Sequence, residues 1–343
     1  MFSFDFKKSF QTKPKNRIGL DIGSSAVKIV EIENLEGKSI LAHIGLKKLP
    51  NPSKETLVES IKSLIEESKI SSKEVSVSVS GPSTIVRFVS MPKMREDELK
   101  GAIKFEAEKY IPFAIDDCII DYQVLKKDEK ENKLDMLLVA VKKELVMGKI
   151  AIAEAGGLDV RIVDVDTFAI ANSFLKNFNN HDTNKTAALL NIGSGLTNVS
   201  IVRDGVLHFS RDVAIGGADF NNVISKGLNL DPAGAENIKI APKDKAPDVV
   251  SCTKSMLNNL LDEMRLSFSY YENQSGMGID EIYLSGGTSD LVGLEGAFHE
   301  AFESKPFLWD PTQFLDTSRV TQNADLIKKM SRSFAVAVGL AIR

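Results

Sequence analysis

The hydrophobic pattern of the chain predicts strands joined by amphipathic helices. Three apolar runs between residues 17 and 49 ("IGLDIG", "AVKIVEIE" and "SILAHIGLKKL") are separated by polar turns, which is typical of consecutive strands. Over residues 53–69, Leu57, Ile61 and Leu64 recur at helical spacing, and Ser53 stands where an N-cap is expected. The stretch "EVSVSVS" alternates strictly and predicts a further strand over 74–80. An α/β domain is therefore expected at the start of the chain.

Residues 84–166 are predicted to form, in order, a strand, a helix, two strands, a helix and a strand. The strands are "TIVRFVSMP", "CIIDYQVLKK", "KLDMLLVAVKK" and "VRIVDVD", with helices predicted over "EDELKGAIKFEAEKY" and "KELVMGKIAIAEAGG". The run has the size of a small α+β unit. On its first helix, Leu99, Ile103 and Phe105 are predicted to be core, whereas Glu106 and Glu108 are predicted to face solvent.

One hairpin pattern occurs twice, 170 residues apart. "LDIGSS" ends a strand at Asp21, and "LNIGSG" ends another at Asn191, so that Gly23 corresponds to Gly193 and Ser24 to Ser194. Apolar strands flank both turns. A hairpin duplicated at half-chain distance predicts two similar domains that face each other.

The residue types of these turns favour an anion site. A Gly-Ser turn offers backbone N–H groups and hydroxyls without a bulky side chain, and two such turns could hold one polyphosphate from both sides. The carboxylate of Asp21 beside phosphate would be explained by Mg²⁺ and its waters. A third signal is "YLSGGTSDLVG", where a strand enters Gly286 and Gly287 and a helix is predicted to start near Ser289, with its N-terminus near phosphate.

Composition narrows the function classes. The 343 residues are 43% apolar and carry a net charge of −4, which gives no reason to expect nucleic-acid binding. Two distant cysteines, Cys118 and Cys252, fit a reducing cytoplasm, and no run is apolar enough to span a membrane. Residues 1–16 are rich in Phe and Lys, and we expect a flexible basic leader there, with a weak membrane-surface contact as the alternative.

The order of the three motifs resembles the ATPase superfamily of actin and the sugar kinases. The segment "DTFAIA" from Asp166 resembles its first connecting helix, "SFAVAVGLAIR" at 333–343 the second, and "IGGADFNNVI" at 215–224 the Gly-Gly turn and helix of its second half. The resemblance implies an α/β fold of duplicated actin-like (ribonuclease H-like) domains around a nucleotide cleft.

A small unit inserted in the first domain is the arrangement of the cell-division protein FtsA and of the PilM family of type IV pilus assembly proteins. The segments "IGLDIGSSAVKIVEI", "KFEAEKYIPF", "VDVDTFAIANSF" and "EMRLSFSYY" are more similar to the PilM family, and no C-terminal amphipathic tail of the FtsA kind follows 333–343. The implied organisation is a first domain (17–83, 160–184 and 333–343), an inserted α+β subdomain (84–159), a second domain (185–230 and 276–332) and a helical subdomain (231–275).

The resemblance also implies the ligands of ATP and Mg²⁺. Asp21 would hold Mg²⁺ through water, and Lys28 would reach the phosphates. The remaining implied cofactor contacts are Gly23, Ser24 and Ser25 on the first side; Asn191, Gly193, Ser194, Gly195, Thr197, Gly216 and Gly217 on the second; Gly286, Gly287 and Ser289 along the adenosine; and Glu263, Arg265 and Ser267 near adenine and ribose.

Two departures from the superfamily pattern bear on hydrolysis. Asn191 replaces a carboxylate and adds no negative charge beside Mg²⁺. Asp166, the implied water-positioning residue, replaces a Glu and is one methylene shorter, and a misplacement of about 1 Å can cost about two orders of magnitude in rate. We expect an ATP-binding clamp that is at most a weak ATPase.

The resemblance implies that the partner is the cytoplasmic N-terminal tail of the inner-membrane protein PilN. The tail would lie between the first domain and the inserted subdomain, along "STIVRFVSMP" or the helix "DELKGAIKFEAEKYIPF". Other pilus motor components and a homo-oligomer are further partners to consider, and the protein would be cytoplasmic and reach the membrane only by way of its partner. Two alternatives stay open at this point: a filament-forming protein of the FtsA type and a small-molecule kinase of the same superfamily.

Overall fold

A computed structural model describes residues 16–35, 37–70, 72–128, 130–178, 184–320 and 323–343. The predicted basic leader lies outside these residues, apart from Asn16. The strands are β1 (Asn16–Ile22), β2 (Ala26–Leu35), β3 (Lys38–Lys48), β4 (Glu74–Val79), β5 (Thr84–Pro92), β6 (Cys118–Asp128), β7 (Lys133–Lys142), β8 (Asp159–Val165), β9 (Ala187–Ile192), β10 (Thr197–Arg203), β11 (Val206–Val213), β12 (Glu281–Ser285) and β13 (Phe307–Leu308). The helices are α1 (Lys54–Ser68), α2 (Glu96–Glu108), α3 (Lys143–Ala155), α4 (Asp166–Asn177), α5 (Gly217–Leu228), α6 (Pro232–Ile240), α7 (Ala246–Ser275), α8 (Leu294–Phe302), α9 (Ala324–Met330) and α10 (Ala335–Ala341).

Two five-stranded sheets repeat one topology. The first has the order β3-β2-β1-β4-β8 and the second β11-β10-β9-β12-β13, each with an antiparallel three-stranded meander followed by parallel strands. The register is the same as well, because Asp21 lies opposite Lys28 in the first hairpin and Asn191 lies opposite Asn198 in the second. The predicted duplication of the hairpin is confirmed. The N-cap of α1 is also as predicted, since the Ser53 side chain accepts from the Thr56 N–H at 3.2 Å.

A separate three-stranded sheet, with the order β5-β7-β6, carries α2 on one face. The last two elements of the run 84–166 also contact the first sheet. Strand β8 pairs with β4 in the first sheet, and α3 packs against α1 and β4. Val160 and Val163 of β8 pack against the core of the first sheet, which explains why this strand joins the larger sheet.

The two halves of the chain are joined by α4 and α10, which cross at very close range. A Cβ atom on Gly339 would lie 1.8 Å from the carbonyl oxygen of Ala169, so only glycine fits this crossing. Gly19 of β1 is enclosed in the same way, at 2.0 Å from the carbonyl of Ala337. This contact anchors the first strand, and with it the first Gly-Ser turn, to the connecting helices.

Three local predictions are wrong. The helix expected near Ser289 begins at Leu294, because consecutive turns fill 286–293 and Gly293 takes the left-handed φ of +86°. Phe105 is 72% exposed, because it lies on the side of α2 opposite the buried Leu99 and Ile103. The Glu106 side chain is only 15% exposed, since Lys109 and Tyr110 fold over it. Among the described residues, no helix is both long and apolar enough to cross a membrane.

Candidate functional site

The two Gly-Ser turns meet tip to tip between the domains. A Cβ atom on Gly195 would lie 3.1 Å from Oγ of Ser24, and one on Gly81 would lie 3.8 Å from the Leu196 side chain. Each turn closes with the same bond, from Gly23 N–H to the Ala26 carbonyl at 3.1 Å and from Gly193 N–H to the Leu196 carbonyl at 2.9 Å. The turns therefore form the two walls of one cleft.

Four backbone N–H groups at the turn tips remain available to a ligand. Within the part of the chain that the structure describes, they make no hydrogen bond to protein; they belong to Ser24, Ser25, Ser194 and Gly195. The side chains of Ser24 and Ser25 are exposed. Successive unpaired N–H groups in a turn are an arrangement that can bind an anion.

The first turn is charged. Lys28 Nζ lies 2.7 Å from Oδ2 of Asp21, and both side chains are mostly buried. Asp166, at the first position of α4, accepts hydrogen bonds from the hydroxyls of Ser78 and Ser80. Burial, together with the neighbouring Asp21, raises the pKa of Asp166 to about 7. The two carboxylates thus share one small, poorly solvated region.

Lys149 of α3 balances these carboxylates. Its Nζ donates to the carbonyl of Ile22, directly before the first turn. Burial lowers the pKa of the Lys149 amine, while the neighbouring Asp166 and Asp21 raise it. No pattern in the sequence singles out this lysine, because α3 follows the inserted sheet and lies far from the turn along the chain.

The second turn is neutral and linked to the first domain by a chain of hydrogen bonds. Ser285 Oγ donates to Asn191 Oδ1 at 3.3 Å, Asn191 Nδ2 donates to Asn198 Oδ1 at 2.9 Å, and Asn198 Nδ2 donates to Asp212 Oδ1 at 2.8 Å. Oδ2 of Asp212 accepts from the Gly81 N–H of the first domain at 2.6 Å. Burial raises the pKa of Asp212. Asn191 is therefore already committed to protein partners.

The start of α5 and the third Gly-rich turn pack directly against the second turn. The N–H groups of Gly217 and Ala218 donate to the carbonyls of Gly193 and Ser194, both at 2.8 Å, and a Cβ atom on Gly216 would lie 2.4 Å from the Ser194 carbonyl. Two further contacts complete the wall: Thr288 donates to the carbonyls of Ile192 and Gly193, and Gly286, at a φ of +92°, approaches Ile192.

Some predicted contacts are placed here in a structural role. The Thr197 hydroxyl donates to the Ile215 carbonyl at 2.8 Å, and the Ser289 hydroxyl donates to the Gly286 carbonyl at 2.8 Å. Gly287 is exposed beside them. The structure thus brings together the residues of all three glycine motifs.

Helix α6 adds two charged residues to this wall. The buried Lys239 donates to Glu236 at 2.6 Å and to the Gly217 carbonyl at 3.3 Å, and Asn221 also donates to Glu236. Lys48, at the end of β3 in the first domain, acts electrostatically on both Glu236 and Lys239. Sequence analysis missed all three; the i, i+3 spacing of Glu236 and Lys239 on a short helix beside a Gly-Gly turn was the available signal.

Three predicted contacts lie elsewhere on α7. Glu263 pairs with Arg211 of β11 at 2.6 Å, and Ser267 accepts from the same guanidinium at 3.0 Å. Arg265 pairs with Asp262 and lies over the Phe302 ring. The recorded contacts of these three residues are therefore with β11, α7 itself and α8, whereas α6 contacts Gly217 through Lys239.

A cavity of about 680 Å³ separates the inserted sheet from the second domain. It lies between β5 and β11, which are edge strands of their sheets, and the C-terminal part of α7 covers one side. Tyr270 and Leu266 line it and are largely exposed, and Arg87 lies at its rim. Helix α2, one of the two predicted docking elements, does not line this groove, whereas β5 does.

Comparisons with known proteins identify the family. A family model described as type IV pilus assembly protein PilM matches residues 19–343. A solved structure of a PilM-PilN type IV pilus biogenesis complex contains a chain that is 25% identical, with a TM-score of 0.85 over 95% of this chain and 98% of that chain. The ethanolamine utilization protein EutJ from Carboxydothermus hydrogenoformans shares the fold, with a TM-score of 0.59 and 12% identity over 96% of this chain and 90% of that chain.

More distant curated relatives match part of the chain. Cell division protein FtsA of Staphylococcus epidermidis is 22% identical over 204 residues, which are 53% of this chain and 43% of that protein. EutJ of Salmonella typhimurium is 25% identical over 153 residues, 45% of this chain and 49% of that protein. The matches to these curated relatives thus span about half of their length or less. The fold is the mixed α/β actin-like one that was expected, and with the family model matched over residues 19–343, the chain belongs to the family of type IV pilus assembly protein PilM.

Proposed function

We propose that this protein binds ATP between its two Gly-Ser turns and binds the cytoplasmic N-terminal tail of PilN in the groove between β5 and β11. In type IV pilus assembly it would then act as a cytoplasmic clamp whose conformation depends on the nucleotide, held at the inner membrane and linked to the pilus motor through PilN. The observation that carries the proposal is the pair of facing turns, whose tips offer to one ligand four N–H groups that bond to none of the described residues.

Charge supports an anionic ligand in the cleft. Four lysines from four different elements converge there (Lys28, Lys48, Lys149 and Lys239), against the carboxylates of Asp21, Asp166 and Glu236. Phosphate groups would add negative charge where cationic side chains and turn amides are already oriented. The adenosine would lie along the Gly286 turn and α6, where Glu236 can accept from ribose hydroxyls.

Mg²⁺ fits this site only together with phosphate oxygens. Among the described residues, no three His, Cys, Asp or Glu side chains cluster closely enough to hold a metal ion. Asp21 is the carboxylate next to the turn, and its Oδ2 is engaged by Lys28. A hydrated Mg²⁺ bound by ATP could accept Asp21 as an outer ligand through water and would supply charge neutralisation for the phosphates.

Slow hydrolysis or none follows from the same residues. Asn191 donates its amide to Asn198, so this position supplies no carboxylate to a metal. Burial and the neighbouring Asp21 raise the pKa of Asp166, which favours its protonated form, and a protonated carboxyl is a weak acceptor for an attacking water. We therefore expect at most a weak ATPase, with binding rather than turnover as the functional event.

The groove suits an extended peptide. Both walls are sheet edges. On one of them, β5, the Val86 carbonyl accepts a hydrogen bond from the side chain of the adjacent Arg87 at 2.8 Å. A peptide strand can add to such an edge through main-chain hydrogen bonds while its apolar side chains contact Tyr270 and Leu266. The docking site proposed here for the PilN tail is therefore closer to the second domain than the site expected from the sequence, which lies between the first domain and the inserted subdomain.

A titration of a labelled PilN N-terminal peptide, followed by fluorescence anisotropy with and without ATP, tests the proposal. We expect Tyr270→Ala to weaken peptide binding about tenfold, the size typical of an aromatic anchor. Phe105→Ala is the matched control, because Phe105 is equally aromatic and more exposed but lies on α2, outside the groove. Equal effects of the two variants, or no binding by the wild type, would contradict the proposed docking site.

A further inference from the structure

Lys149 brings a positive charge to the first turn from an element outside both hairpins. It extends from α3 to the carbonyl of Ile22, the residue between Asp21 and Gly23. A lysine ammonium has three donors, and this carbonyl uses one of them. The same ammonium also interacts electrostatically with the carboxylates of Asp166 and Asp21.

The charge of Lys149 matters because the first turn would otherwise repel phosphate. Asp21 has Lys28 as its direct partner at 2.7 Å, whereas the hydrogen-bond donors of Asp166 among the described residues are the hydroxyls of Ser78 and Ser80. An anion placed at Ser24 and Ser25 would therefore meet a second carboxylate close by. The ammonium of Lys149 is the group that can offset this repulsion.

Lys149 lies at one end of the cleft. Lys239 and Glu236 pack against the turn of the second domain, near Gly217 and Thr288, while Lys149 packs against the turn of the first. A long ligand whose uncharged end lies at α6 would bring its charged end to Asp166 and Lys149. This places the ammonium at the terminal phosphate and away from the base.

We infer that Lys149 binds the terminal phosphate of the nucleotide and thereby makes the cleft selective for triphosphates. This inference rests on the proposed ATP binding. It assigns a phosphate contact to a helix that follows the inserted sheet, outside all three glycine motifs. Lys149→Met removes the ammonium and keeps most of the apolar stem, so it separates charge from packing.

The test is calorimetric titration of the full chain with ATP, ADP and AMP. For Lys149→Met we expect about tenfold weaker ATP binding, the loss of one charge-assisted hydrogen bond, with a smaller loss for ADP and none for AMP. The control is Lys143→Met on the same helix, whose Nζ donates to the Asp116 carbonyl outside the cleft, and it should bind all three as the wild type does. An equal loss for all three nucleotides, or no loss, overturns the inference; a wild type that binds none of them overturns both this inference and the proposed function.

A second background separates phosphate binding from mere neutralisation of Asp166. In Asp166→Asn the carboxylate that needs a counter-ion is gone. If Lys149 contacts phosphate, adding Lys149→Met still weakens ATP binding about tenfold relative to Asp166→Asn alone. If the double variant binds ATP as tightly as Asp166→Asn, Lys149 is only a counter-ion and the inference is wrong. Thermal unfolding of each variant establishes that it is folded.

Discussion

The two Gly-Ser hairpins have the same backbone and opposite chemistry. Both close with a glycine N–H bonded to a carbonyl three residues on, and both place residue pairs seven apart directly opposite each other. In the first hairpin that pair is the ion pair Asp21 and Lys28; in the second it is the amide pair Asn191 and Asn198. The first turn is surrounded by charged groups, whereas the second is tied by hydrogen bonds to Asp212 and α5.

This difference indicates a division of roles between the two domains. The polar side chains around the second turn are bonded to protein partners, and they reach the Gly81 N–H of the first domain through Asp212. The first turn keeps charged groups that a ligand can reorganise, and two of them, Asp166 and Lys149, have shifted pKa values. We interpret the second domain as the rigid wall of the cleft and the first as the wall that responds to the charge of the ligand.

The largest expected effect is on the pH dependence of stability in the first domain. Asp166 has an ordinary pKa of 3.8 and a folded-state pKa of about 7, so the folded protein binds this proton more tightly than the unfolded chain. The free energy of unfolding therefore falls as the pH rises from about 4 to about 7, by up to about 4 kcal/mol, because the unfolded chain releases a proton that the folded protein keeps.

In Asp166→Asn this pH-dependent component should disappear, so that stability relative to the wild type improves between pH 4 and 7. Urea unfolding across this range measures it. The exposed Asp248→Asn at the start of α7 is the control and should keep the wild-type profile. Parallel profiles for wild type and Asp166→Asn would show that the first turn is not the titrating region.

The next effect concerns the tight packing of the second turn. In Gly216→Ala the new Cβ would lie 2.4 Å from the Ser194 carbonyl and 2.7 Å from the Leu196 nitrogen, both backbone atoms that cannot move alone. We expect a loss of about 3 kcal/mol in the free energy of unfolding, the upper range for overpacking. Gly296→Ala on α8 meets nothing within 4 Å and should be neutral or slightly stabilising. Equal unfolding midpoints for the two variants would contradict the rigid-wall interpretation.

A smaller effect follows from making the second hairpin resemble the first. Asn191→Asp replaces the amide that donates to Asn198 with a second acceptor, which should cost about 2 kcal/mol of stability. Adding Asn198→Lys recreates the Asp21–Lys28 pair at the equivalent register and should recover most of the loss. Thermal unfolding of the single and double variants measures both steps, and additive losses would mean that the two positions are not coupled.

Much of the fold could be predicted because its signals are local. Apolar periodicity located the strands and helices, and the duplicated "DIGS" and "NIGS" turns predicted two similar facing domains. The Gly-rich turns could be expected to contact one another, because glycine allows two backbone segments to approach closely, as at Gly216 and Gly286. The residues of the three motifs therefore converge as the resemblance implied, although their ligand contacts stay predictions.

The charged residues of the cleft could not be predicted in the same way. Lys149 comes from a helix far along the chain from either turn, and only tertiary packing brings it to the first one. Lys48 lies beside the first turn, opposite Ala26, but its electrostatic effect on Glu236 and Lys239 of α6 depends on how the two domains pack. The nucleotide contacts assigned to Glu263 and Arg265 on α7 stay predictions, while Lys239 of α6, which bonds the Gly217 carbonyl, was not expected. The exposure of Phe105 was not predicted either, because this apolar residue lies on the outer face of α2.

The central claim is that the two turns form one nucleotide site, and isothermal titration calorimetry with ATP and Mg²⁺ tests it most directly. We predict one saturable site in the wild type and a loss of binding of about tenfold or more in Lys28→Met, because Lys28 lies at the first turn and Asp21 would lose its cation. Binding by the wild type that is unchanged in Lys28→Met, or no binding by folded wild-type protein, would contradict the account.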